Sequence, residues 1–138
     1  MERVLLDTNI IIRALTNDNV EMAQTARRLL KQVESGELRA DITESILVEA
    51  VQVLSSPRLY AQPRLTVASN LSIILGLTGL RIARKALYVE ALEIWATSRV
   101  DFVDALSVAY MREMGLVTIV SFDRDFNRFP GITRTVEV

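Results

Sequence analysis

Short aliphatic runs alternate with longer amphipathic stretches along the whole chain. Arg3–Leu6 is a compact apolar run that ends in Asp-Thr-Asn, the pattern of a buried strand followed by a turn. Ile10–Leu15 predicts a short helix. Asn19 is placed to cap a longer one through about Val33, with Ala23, Ala26, Leu30 and Val33 on one face and Ser35-Gly36 as the stop. Arg39–Ile42 predicts a second strand. Thr43 then caps a helix through about Leu54, halted ahead of Pro57. Pro63 opens a helical stretch to about Leu75, and Gly76 and Gly79 break it before a short strand at Leu80–Ala83. A helix from about Arg84 to Thr97, a second capped by Asp101 and ended by Gly115, and a strand at Val117–Ser121 follow. Asp123–Phe129 predicts a turn or short helix, and Thr133–Val138 alternates like an edge strand.

Strands alternating with helices predict an α/β fold: a three-layer α/β/α sandwich with a central, mostly parallel sheet. The length of 138 residues fits one domain, 1–138, with no internal repeat or linker. Half of the residues are hydrophobic, enough to fill one core. The mean hydropathy of +0.26 is high for a soluble monomer, which predicts apolar surface and a symmetric homodimer. Val67, Leu71 and Ile74, at helical spacing within Arg64–Leu75, are candidates for part of that interface.

Composition narrows the chemistry. The chain has no cysteine and no histidine, which excludes disulfides, Cys- or His-ligated metal and His-based triads. No secretory signal or membrane-spanning run is visible, so the expected location is the cytoplasm, away from any membrane. The net charge of −1 does not announce a nucleic-acid binder, although the cations are fourteen Arg against two Lys.

Four acids fall where chemistry is built in such folds. Asp7 and Asp123 follow strand ends, the rim at which α/β sheets carry their sites. Glu49 borders the stripe expected from Ile46, Ala50, Val53 and Leu54. Asp104 lines up with Val108 and Met111 on the next-to-last helix. Half-buried carboxylates are costly unless paired, and several on one rim repel one another. A divalent cation removes that penalty, and a site of carboxylates alone points to Mg²⁺ or Mn²⁺. Against this stand plainer readings: a polar turn for Asp7, a cap for Asp101, a helix-dipole role for Asp104 and for Glu44, and a turn cap for Asp123. Asp125, two residues past Asp123, is expected to point into solvent.

At these residues the chain resembles the PIN-domain nucleases, and among them the VapC-like toxins of prokaryotic toxin–antitoxin pairs. The resemblance rests on Leu6-Asp7-Thr8-Asn9, the Ile42–Glu49 segment, Asp101-Phe102-Val103-Asp104-Ala105-Leu106 and Ser121-Phe122-Asp123-Arg124-Asp125-Phe126, in that order over nearly the whole chain. It implies a Mg²⁺- or Mn²⁺-dependent endoribonuclease, the toxin of a type II toxin–antitoxin system, cleaving RNA by metal-activated water. Asp7, Glu49 and Asp104 match the core metal-binding acids, and Asp123 the more variable fourth. Asn9 and Ser121 match supporting polar positions. An antitoxin partner is implied as well.

For RNA contact the candidates are Arg13 and Arg124, with Arg81, Arg84, Lys85 and Arg99 behind them. Two other classes compete. A PIN-like domain that binds RNA or protein without cleaving would have lost a core acid, and none is lost. A phosphoacceptor receiver domain needs a lysine after a late strand, but Lys31 and Lys85 both fall in expected helices.

Overall fold

The structure is a computed structural model that describes residues 2–138. The chain divides into two compact units, Met1–Lys85 and Ala86–Val138. Both are built from parallel strands and helices, as the alternation along the chain predicts.

In the first unit the order is β1 (Arg3–Leu5), α1 (Thr8–Ala14), α2 (Val20–Ser35), β2 (Arg39–Asp41), α3 (Glu44–Ser55), α4 (Arg64–Leu75) and β3 (Leu80–Arg81). The three strands form one parallel sheet in the order β1-β2-β3, with Val4 opposite Ala40 and Ala40 opposite Leu80. A helix pair makes each crossover, the connection that parallel strands require. Asn19 caps α2 by accepting from the Met22 N–H at 2.9 Å, and Thr43 caps α3 by accepting from the Ile46 N–H at 3.2 Å. Gly79 packs where no side chain fits: a Cβ there would lie 2.3 Å from the Leu38 carbonyl oxygen and 2.8 Å from that of Val33.

Three sequence-based expectations change in this unit. α1 starts at Thr8, ahead of Ile10, because Asp7 takes the extended N-cap conformation and the turn feeds directly into the helix. α3 buries Leu47, Ala50, Val51 and Leu54, a stripe at i, i+3, i+4 and i+7. That stripe puts Glu49 on the opposite face, exposed, so no burial penalty acts on it. In α4 the stripe offered as an interface, Val67, Leu71 and Ile74, is buried core; Leu65 and Ile73 are the exposed apolar residues of that helix.

The second unit runs α5 (Lys85–Ala96), α6 (Phe102–Met114), β4 (Thr118–Val120), a 3-10 helix (Arg124–Arg128) and β5 (Thr133–Thr135). Trp95 meets Phe102 edge to face, with ring centroids 6.1 Å apart, and holds the start of α6 against α5. Phe102, Ala105, Val108, Ala109 and Met111 form the buried face of α6. Gly115 ends that helix in the left-handed conformation, φ 71°, and its N–H bonds back to Met111 and Arg112. β4 and β5 pair in parallel, Thr118 opposite Thr133 and Val120 opposite Thr135. Among the described residues no helix is long and apolar enough to cross a membrane.

Candidate metal centre

The second unit brings three carboxylates together. Asp104 is the third residue of α6 and half-buried; Asp123 caps the 3-10 helix, and Asp125 is its second residue. One oxygen from each lies within 4.8 Å of the others. The turn explains this convergence. Asp123 is extended, φ −77° and ψ 114°, and its Oδ1 folds back to accept the Asp125 N–H at 2.9 Å. Folding back places its carboxylate over the first turn, beside that of Asp125. Asp125 therefore does not point away as expected from the sequence, since the cap bond wraps the loop.

Ser121 fixes this turn from behind. Its Oγ accepts the Asp123 N–H at 3.0 Å, and its own N–H donates to the Thr135 carbonyl at 3.0 Å. Its carbonyl accepts from Arg134 Nη1 at 2.9 Å. Ser121 thus ties the acidic turn to β5. Arg134 is one arginine in a short polar strand, and nothing in the sequence distinguishes it.

Charge behaves as crowding predicts. Burial pushes the Asp104 carboxyl above its ordinary range, and the charges of Asp123, Asp101 and Asp125 and a hydrogen bond with Asp123 push it the same way. Asp101 adds to this as a charge and not as a cap: it occupies the N-cap position of α6, but its carboxylate accepts no capping bond. Arg128 Nη2 lies 3.6 Å from Asp125 Oδ1 and offsets part of the repulsion. Three hard oxygen donors, one of them destabilised as an anion, fit Mg²⁺ or Mn²⁺.

Asp7 and Glu49 stand on the first unit and join no group of three potential ligands among the described residues. Asp7 is an exposed N-cap whose carboxylate makes no capping bond, the same idle geometry as Asp101. Asn9, one residue into α1, lines a cleft of about 340 Å³ with Ile10, Arg13 and Met22. Arg13 is engaged by Asp18 at 3.0 Å, and Arg81 by Asp41 at 3.1 Å. Lys85 donates to the Leu80 carbonyl at 3.2 Å. Arg99 and Arg124 are exposed.

The chain matches the PIN domain family over residues 4–132. Among solved structures it is similar to VapC20 of Mycobacterium tuberculosis, a toxin described as cleaving the sarcin–ricin loop, with 21% sequence identity and a TM-score of 0.40. That likeness covers 92% of this chain and 94% of the other. No curated protein matches the chain.

Proposed function

The chain belongs to the PIN domain family, and from that membership we propose that it is a Mg²⁺- or Mn²⁺-dependent endoribonuclease. The observation that carries the proposal is the convergence of Asp104, Asp123 and Asp125, with Asp104 resisting ionisation beside its acidic neighbours. Asp104, Asp123 and Asp125 would hold the ion, and Asp7 and Glu49 are the further acids that the four-motif resemblance assigns to the same task. When bound, the ion supplies Lewis-acid polarisation of the phosphodiester.

The chain's own residues do the rest. Ser121 and Arg134 hold the Asp123 turn in its wrapped form. Asp101 keeps Asp104 electrostatically poised to exchange a proton for a cation. The four-motif resemblance assigns Asn9, two residues after Asp7, to ordering the site.

The biological reading is that of a type II toxin acting on RNA in the cytoplasm, held in check by a cognate antitoxin and assembled as a homodimer. The order of the four acidic motifs supports the toxin. Exposed Val117, Val120 and Phe122 in the second unit, and Leu65 and Ile73 in the first, support association.

The test is cleavage of RNA by the purified protein with Mn²⁺, with Mg²⁺ and with EDTA, alongside Asp104→Asn. Cleavage that needs the ion and vanishes in Asp104→Asn supports the proposal. RNA bound but never cleaved under any metal would favour a non-catalytic PIN-like domain.

A further inference from the structure

We infer that a cationic cleft on the second unit holds backbone phosphates of the RNA, a reading that rests on the nuclease function proposed above. The cleft, of about 460 Å³, is lined by Arg99, Arg112 and Arg128 with Thr97, over a floor of Ile94 and Phe129. Ile94 and Phe129 are buried, so the guanidinium groups stand around an apolar base.

The charge of this cleft is out of keeping with the chain. The net charge is −1, yet no Asp or Glu lines the cleft and three arginines do. Two of them have acidic neighbours outside it: Arg112 Nη1 lies 3.6 Å from Glu90 Oε1, and Arg128 Nη2 lies 3.6 Å from Asp125 Oδ1. Both separations exceed a hydrogen bond, so these pairs are Coulombic and leave N–H donors for another acceptor. Arg99 has no carboxylate partner among the described residues and is exposed. Guanidinium donors in a fork match phosphate oxygens bidentately.

An acidic protein segment would also suit three arginines. Arg128 decides for RNA. It lines the cleft while its partner Asp125 belongs to the carboxylate group, so one 3-10 turn carries a phosphate-seeking cation and a candidate metal ligand one turn apart. Such an arrangement places one phosphate in the cleft while a neighbouring one reaches the acids. This is the RNA-binding surface that net charge could not reveal, because the charge is local.

The experiment measures binding of a fluorescein-labelled single-stranded oligoribonucleotide of mixed sequence by anisotropy, in EDTA, across a range of salt. Arg99→Gln and the double variant Arg99→Gln/Arg112→Gln are compared with wild type, with Arg99→Lys as the conservative control. Affinity should weaken several-fold in each Gln variant. The slope of log K against log salt should become shallower by about 0.7 for each phosphate that is no longer neutralised. Arg99→Lys should keep the wild-type slope, and Arg99→Gln should keep the wild-type melting temperature. A double variant with wild-type affinity and slope overturns the inference. So does a double variant that binds RNA normally but loses binding to polyglutamate. Because binding is read without metal, wild-type RNA affinity with no cleavage under Mn²⁺ would sink the nuclease reading and leave the cleft standing.

Discussion

Arg134 donates from Nη1 to the main-chain carbonyl of Ser121 at 2.9 Å, while its Nε is buried and makes no hydrogen bond. A buried N–H without an acceptor is costly, and the bond to Ser121 offsets part of that cost. Ser121 receives the Asp123 N–H on its side chain, and Asp123 receives that of Asp125. Arg134 therefore stands two links behind the carboxylate group, as a positioning residue. Arg134→Met should weaken Mn²⁺ binding by about 10- to 100-fold, the usual effect of losing an outer partner of a metal site. Arg134→Lys should recover part of it. Electron paramagnetic resonance of Mn²⁺ titrations measures this directly, and unchanged Mn²⁺ affinity in Arg134→Met would reduce Arg134 to a packing element.

Asp104 makes a second, signed prediction. Its carboxyl is raised in the folded protein, so just above the ordinary value of 3.8 the fold holds a proton that the unfolded chain has released. In that window the folded state binds more protons, and stability falls as pH rises through it. The metal-free protein should therefore lose stability as Asp104 ionises, and Asp104→Asn should remove that part of the pH dependence. Added Mn²⁺ should restore stability to the wild type above the window and not to Asp104→Asn. Melting temperatures across pH, with and without Mn²⁺, test both halves. A wild type whose melting temperature ignores the ion would contradict a carboxylate metal site.

Caps and periodicity made most of this architecture legible in advance. Asn19 and Thr43 both accept the bonds expected of them, and Gly115 ends α6. The sequence puts Glu49 beside the buried stripe and the structure does not, because Leu47 and Val51 compete with Ile46 and Val53 for that stripe and apolar content alone does not choose between two overlapping stripes. Asp104 lies half-buried, as its spacing to Val108 and Met111 predicts, because both of those residues are in the buried face of α6. The place of Asp125 was not legible, since spacing alone cannot reveal that Asp123 turns its carboxylate back over the helix start. Arg134 and the arginine cleft depend on tertiary neighbours, and nothing in their local sequence marks them.

Asp18 predicts acid sensitivity in the first unit. Its carboxylate accepts from Tyr60 Oη at 2.8 Å, from Arg13 at 3.0 Å and from Thr16 Oγ1 at 3.3 Å. The Tyr60 bond is the main cause holding its carboxyl below the ordinary 3.8, with Arg13 and Thr16 adding to it against a smaller opposing effect of burial. A depressed carboxyl contributes stability that is present above the unfolded value and lost as pH falls through the folded one. The protein should therefore lose stability as pH drops below about 4, and Asp18→Asn or Tyr60→Phe should make that loss shallower. Asp41, held down by Arg81 and Arg3 against the opposing effect of burial, contributes in the same direction, so the slope should flatten without vanishing. Urea midpoints from acidic to neutral pH would expose the effect, and identical acid slopes in wild type and Asp18→Asn would refute it.

Asp101, Asp123 and Asp125 should separate by role. A helix cap lost to alanine ordinarily costs about 1 kcal/mol, but the Asp101 carboxylate makes no capping bond, so Asp101→Asn should leave stability nearly unchanged. What it removes is a charge that raises Asp104, so the Asp104 carboxyl should titrate at lower pH in that variant. Asp123→Asn removes a ligand oxygen and keeps an acceptor for the Asp125 N–H; the turn should survive while Mn²⁺ affinity falls sharply. Asp125→Asn also removes a ligand, and it releases Arg128 from its 3.6 Å pairing. Its Mn²⁺ affinity should fall as well, while RNA affinity in EDTA should rise because Arg128 is freed for phosphate. Carboxylate NMR titrations of Asp104, Mn²⁺ binding and RNA anisotropy on the three variants give the comparison. If Asp125→Asn binds Mn²⁺ like wild type, Asp125 is not a ligand and the three carboxylates do not hold the ion as a set.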